Sequence, residues 1–168
     1  MSIQKTVYSA ILDRLKTYVP ELKTIRLFNN QFANENREDA FQYPAAFIEF
    51  RRMDYDTAQQ GYQKGNYTVS IHMGFVHYET ETLVPFDLIH KVYSVLQGFD
   101  GATFTSLMRT SDIQDVNHDN LIVWRTDFDF MANDCPDPIN KVETTITELE
   151  INRDLDIDNQ VIRTGDGI

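Results

Sequence analysis

From Tyr67 onward, apolar and polar side chains alternate without a break as far as Phe75. Tyr67, Val69, Ile71, Met73 and Phe75 make one set, and Thr68, Ser70, His72 and Gly74 make the other. A period of two places successive side chains on opposite faces of a strand. The run, read as a strand over 67–78, therefore belongs to a sheet that is covered on one face and open on the other.

A second alternating segment lies near the end of the chain. Ile122, Trp124, Thr126, Phe128 and Phe130 interleave with Val123, Arg125, Asp127 and Asp129, within a strand predicted from Leu121 to Met131. Leu107 to Val116 reads as its hairpin partner, with Asn117-His118-Asp119-Asn120 as the turn. Pro44 opens a further strand that runs to about Met53, and a missing N–H is tolerated at such a first position. Ile25-Arg26-Leu27-Phe28 predicts a short first strand. Residues 29–43 are polar and Asn-rich, which predicts a loop, and 54–66 holds two glycines and almost no core residues, which predicts a long exposed one.

Two segments carry helical spacing. Ile3, Val7, Ile11 and Leu15 recur every four residues with Leu12 and Val19 beside them, Ser2 stands as N-cap and Pro20 stops the pattern, predicting a helix over 3–19. Pro85 introduces the second, about 85–97, with Phe86, Ile89, Val92, Tyr93 and Leu96 as its apolar stripe and Gly98 placed to cap it. The order α-β-β-β-α-β-β predicts an α+β fold: an antiparallel sheet of four to five strands with two helices packed on one face. Cys135-Pro136-Asp137-Pro138 ends regular structure, dividing an α+β domain (1–134) from an extended acidic C-terminal arm (135–168). In 136–168, eight acidic residues face three basic ones, and Leu149, Ile151, Leu155 and Ile157 alternate with polar, mostly acidic, residues. A strand of that kind needs a sheet or a neighbouring subunit to pair with.

Composition narrows the function classes. Eleven Phe and eight Tyr in 168 residues belong to a chain that folds. A formal charge of −11 supplies no basic footprint for phosphates, so neither sequence-specific nucleic-acid binding nor an anionic membrane is expected. The apolar runs fall far short of the ~20 residues that span a bilayer, and the N-terminus shows no secretory pattern, so a cytoplasmic origin is expected. A single cysteine, Cys135, forms no internal disulfide.

Motifs for catalysis and cofactors are missing. His72 and His77, five apart on one strand, point to opposite faces, while His90 and His118 are isolated, so no metal site is expected. Asp154-Leu155-Asp156-Ile157-Asp158-Asn159 begins like a calcium loop, but the sixth position is Asn159 and the twelfth is Gly165. The seven glycines form no phosphate-binding loop, and Asp134 beside Cys135 raises rather than lowers the thiol pKa. The Asp127/Asp129 pair reads as a solvated strand face. No cofactor and no catalytic residue is predicted, and the chain is not expected to be an enzyme.

Several local features resemble those of a known family. They include the Tyr43-Pro44-Ala45-Ala46-Phe47-Ile48-Glu49-Phe50 strand, the alternating Tyr67–Phe75 strand and the Leu96-Gln97-Gly98 helix end. The hairpin of Arg109–Asp115 and Val123–Phe130 completes the set. In these, and in the order of its elements over about 3–133, the chain resembles the tail-terminator (tail-completion, head–tail joining) proteins of long-tailed bacteriophages. The resemblance implies a virion structural protein without catalytic residues. It implies a ring, usually a hexamer, that caps the tail tube, meets a head-side connector and lets DNA pass. Another tail or baseplate adaptor, or a small bacterial α+β ligand-binding module, is the alternative.

A ring of like subunits needs head-to-tail interfaces. The residues expected to supply them are Tyr55, Tyr62 and Lys64 in the 54–66 loop, against a neighbour or the tube. Arg51 and Arg52 are expected to pair with acids of the next subunit, such as Asp112 or Asp115. The arm is expected to wrap an adjacent subunit, and the acidity to keep DNA sliding through the pore.

Overall fold

A computed structural model describes residues 2–32, 41–57, 62–76, 83–115 and 121–134. The predicted arm, 135–168, lies outside the described residues, as do His77, the turn at 117–120 and the tip at 58–61. Helix α1 spans Ile3–Tyr18 and α2 spans Val84–Leu96. The strands are β1 (Thr24–Leu27), β2 (Ala45–Thr57), β3 (Gln63–Val76), β4 (Met108–Asp115) and β5 (Leu121–Asp134). The fold is α+β with the predicted element order, and the sheet order is β1-β2-β3-β5-β4.

One sheet prediction is corrected. β1 joins β2 in parallel, so the sheet is mixed rather than antiparallel. The reason is the long excursion from Leu27 to Ala45, which returns the chain to the same end of the sheet before β2 begins. A hairpin could not do this. The Tyr43–Pro44 peptide at that return is cis.

The core lies between the helices and one face of the sheet. Ile3, Val7, Ile11 and Leu15 of α1 are buried at the predicted four-residue spacing, against Val69, Ile71, Met73 and Phe128 of the sheet. Ser2 is the N-cap residue, but its side chain makes no capping bond. Arg14 ties α1 to α2 by donating Nε–H to the Val95 carbonyl at 2.6 Å. The α2 stripe shifts from its prediction: Leu88, Ile89, Val92 and Leu96 are buried, whereas Phe86 is 57% exposed. Phe86 sits at the margin of the stripe and meets Trp124 edge-on, with ring centroids 6.1 Å apart. Gly98, at φ +75°, takes the left-handed position after the helix and donates its N–H to the Leu107 carbonyl.

The long loop predicted for 54–66 is mostly strand. β2 continues to Thr57 and β3 starts at Gln63, with Asp54 opposite Asn66 and Thr57 opposite Gln63. A hairpin arm can hold by its backbone ladder without apolar side chains, which is why its polar sequence concealed it. β5 extends alongside, with Asn133 opposite Lys64.

Candidate functional site

Among the described residues no helix covers the other face of the sheet. Its upper part is closed by aromatic rings: Phe32 and Phe41 both stand edge-on to Phe47, about 5 Å away between centroids. Below them the face carries a polar network that spans four strands.

Asp127 of β5 is its centre. Ser70 of β3 donates its hydroxyl to Oδ1 at 2.6 Å, and Ser111 of β4 donates to Oδ2 at 2.7 Å. Arg125 Nε lies 3.2 Å from Oδ1, at ion-pair distance but not aligned as a hydrogen bond, and Arg51 Nη1 lies 3.7 Å from Oδ2. Burial alone would raise the pKa of this carboxyl. The two serine hydroxyls and two guanidinium groups outweigh that and hold it below the usual carboxylate range. The solvated-face reading of Asp127 is thus overturned: the residue is 7% exposed.

Two bulges build this arrangement. Phe50 pairs with Val69 and Met53 with Tyr67, so Arg51 and Arg52 together oppose a single residue, Thr68. The extra residue keeps Phe50 and Met53 both on the helix side. In β4, Arg109 pairs with Phe128 and Ser111 with Asp127, so Thr110 is the extra residue, and the shift turns Ser111 onto the open face. Beside the centre, His72 lies flat on Phe28, with centroids 4.0 Å apart, and its Nε2 is 2.8 Å from Glu49 Oε2.

The expected interface residues fall in two places. Tyr55 (39% exposed), Tyr62 (44% exposed) and Lys64 sit on the β2–β3 hairpin, where the Tyr55 hydroxyl also accepts a bond from Gln4 Nε2. Asp112 and Asp115 sit on β4. Asp112 accepts the Thr126 hydroxyl at 2.7 Å and pairs with Arg109 at 3.0 Å; Arg109 in turn stacks 3.7 Å from the centroid of Tyr93. The structure does not bring Arg51 beside these acids. Arg51 is answered within its own chain by Asp127 and Glu49, and Arg52 by Asp54 at 2.5 Å. Sequence reasoning missed Ser70, Ser111, Arg125 and His72, which lie far apart along the chain. The signal present was a strand whose open face mixes hydroxyls, acids and arginines instead of lysines and glutamates.

An open groove of about 510 Å³ crosses the lower part of this face, between Arg52, Asp54, Thr68, Met108, Asp129 and Met131. Its charged side chains already have partners, Asp129 with Thr68 and Arg52 with Asp54. Among the described residues no group of three His, Cys, Asp or Glu could hold a metal ion, and no helix is long and apolar enough to cross a membrane.

The net charge is unevenly placed. The described residues hold eleven Lys or Arg against twelve Asp or Glu, a net of −1. The other −10 falls in 33–40, 77–82, 116–120 and 135–168. The acidity is a property of these segments and not of the sheet.

The sheet has two free ends among the described residues. β1 is paired only with β2, and β4 only with β5. Six of the eight β4 residues are exposed, including Met108 and Ile113. On β1, Arg26 and Leu27 are exposed.

No family model matches the chain, and no curated protein matches it. Among solved structures it is similar to a chain of the "Virion of native gene transfer agent (GTA) particle". The TM-score is 0.48 at 11% identity, covering 75% of this chain and 92% of that one.

Proposed function

We propose that this protein is a virion structural component of a long-tailed phage or prophage, a tail terminator at the head–tail junction. In this reading about six copies close into a ring that caps the tail tube, meets the head-side connector and lets DNA pass. The observation that carries it is the element order α-β-β-β-α-β-β, in a sheet whose two edge strands are uncovered among the described residues. That order is the one expected from the tail-terminator resemblance over 3–133. Exposed edges invite association unless they are paired, and a ring pairs them.

The open face fits a scaffold better than a ligand pocket, since the charges at its centre are spent on one another. The described residues carry a net charge of −1 and the whole chain −11, which gives DNA no basic surface to grip, so passage would be free of sequence-specific contacts. The hairpin bearing Tyr55, Tyr62 and Lys64 is the surface proposed to meet the tube or a ring neighbour, and the arm is proposed to wrap an adjacent subunit. No enzymatic activity is proposed. The test is negative-stain imaging of purified tail tubes mixed with the protein. Rings seated on one tube end are expected. Bare tube ends at saturating protein would refute the assignment.

A further inference from the structure

The two free edges are matched in direction, charge and face. β1 runs parallel to β2, β3 opposes β2, β5 opposes β3, and β4 opposes β5. β4 therefore runs opposite to β1. Rotation about an axis lying along the strands leaves each copy's strand direction unchanged, so the next copy's β1 arrives antiparallel to β4. That is the more stable ladder. The pairing is heterologous, so it closes into a ring when the rotation closes.

Side-chain faces agree as well. Arg26 lies opposite Phe47, and Phe47 belongs to the open-face cluster, so Arg26 is on the open face. Ser111 reaches Asp127 on that same face, which places Ile113 and Asp115 there too, opposite Arg125 and Val123. The β1 edge offers exposed Lys23 and Arg26 and contains no acid; the outer half of β4, Asp112–Asp115, contains two acids and no base. Among the described residues Arg26 has no ion-pair partner.

We infer that, within the ring proposed above, the β4 edge of one copy pairs antiparallel with the β1 edge of the next, with Arg26 opposite Ile113, its level across the sheet through Phe47, His72 and Arg125, and diagonal to Asp115. The inference rests on the ring reading and adds the surface that makes it. It predicts one continuous sheet around the ring, with no strand edge left bare among the described elements.

The experiment uses the full chain with Cys135→Ser, so that no native thiol competes. Arg26→Cys and Ile113→Cys are introduced singly and together. Directly opposed residues have Cβ atoms ~4.5–5.5 Å apart, close enough for a disulfide after a small adjustment. Mild oxidation of the double variant is expected to give a ladder of covalent species up to the ring size, and neither single variant should pass dimer. In parallel, R26D and D115R should each lower ring affinity at least tenfold, and their combination should recover it. Rings that persist by native mass in every variant without a ladder would overturn the edge assignment and leave the ring standing. A wild-type chain that stays monomeric at every concentration would overturn the ring reading and the inference with it.

Discussion

His72 presents its Nε2 to Glu49 Oε2 at 2.8 Å while its ring lies stacked on Phe28. The two contacts act on its proton in opposite directions. Burial under Phe28 disfavours the imidazolium, and Glu49 favours it. Burial is the larger effect, and the pKa of His72 is lowered from its ordinary value. The unfolded chain, with a His pKa of about 6.5, then binds the proton more readily than the folded one. Stability is expected to be fully present above about pH 6.5 and to fall as the pH drops through the folded value. Urea melts from pH 7.5 to 5 should show this fall, and His72→Gln should flatten it. Stability that rose on acidification in the wild type, and not in the variant, would mean that Glu49 dominates instead.

Asp127 stands as the keystone of the open face. Replacing it by alanine leaves Arg125 and Arg51 without their common partner and strands the hydroxyls of Ser70 and Ser111. The expected loss is about 3 kcal/mol, read from urea unfolding. Asp127→Asn keeps hydrogen-bonding capacity and should lose about 1–2 kcal/mol. Because the folded pKa is depressed, the wild-type contribution is present above about pH 4 and lost as the pH falls below it. A loss under 0.5 kcal/mol in D127A, within ordinary surface variation, would contradict the buried assignment.

Gly74 is where the aromatic cap comes down on the sheet. A Cβ there would stand 2.3 Å from Cε1 of Phe32, a ring itself buried against Phe47. Gly74→Ala is expected to destabilise by about 1–3 kcal/mol through overpacking. Shortening the ring in the Gly74→Ala/Phe32→Leu pair should recover part of that, since residues in contact are not additive. Strict additivity in a double-mutant cycle would show that the two do not touch.

Arg109 sits over the Tyr93 ring and beside Asp112, at the seam between β4 and α2. It is partly exposed, so the ion pair is screened and the ring contact contributes most. Arg109→Met should cost about 0.5–1 kcal/mol in thermal or urea melts, with Tyr93→Leu removing most of the same energy. A neutral R109M would mean that the stacking holds no net stability.

The helices and the two long alternating strands were legible because each has one buried face, and a buried face writes its period into the chain. Ile3, Val7, Ile11 and Leu15 are an example, all buried as their spacing required. β1 hid its direction because four residues carry no signal for parallel or antiparallel pairing. The hairpin arm of β2 and β3 hid because Asp54–Thr57 and Gln63–Asn66 are held by backbone bonds, which any side chain permits. The network around Asp127 hid for a different reason. Ser70 is 57 residues from Asp127 and Ser111 is 16, and two bulges decide that they meet. Bulges shift which face a residue occupies, and a period-of-two reading assumes none. The net charge misled in its own way: −11 describes the chain, but the described residues carry only −1 of it.

The central claim is that these subunits close into a ring, and native mass by light scattering over a concentration series tests it most directly. The account predicts a species of about six times the 19.5 kDa chain that grows in with concentration, and rings in negative stain of the same sample. A mass of one chain at every concentration, up to the highest that remains soluble, would contradict it.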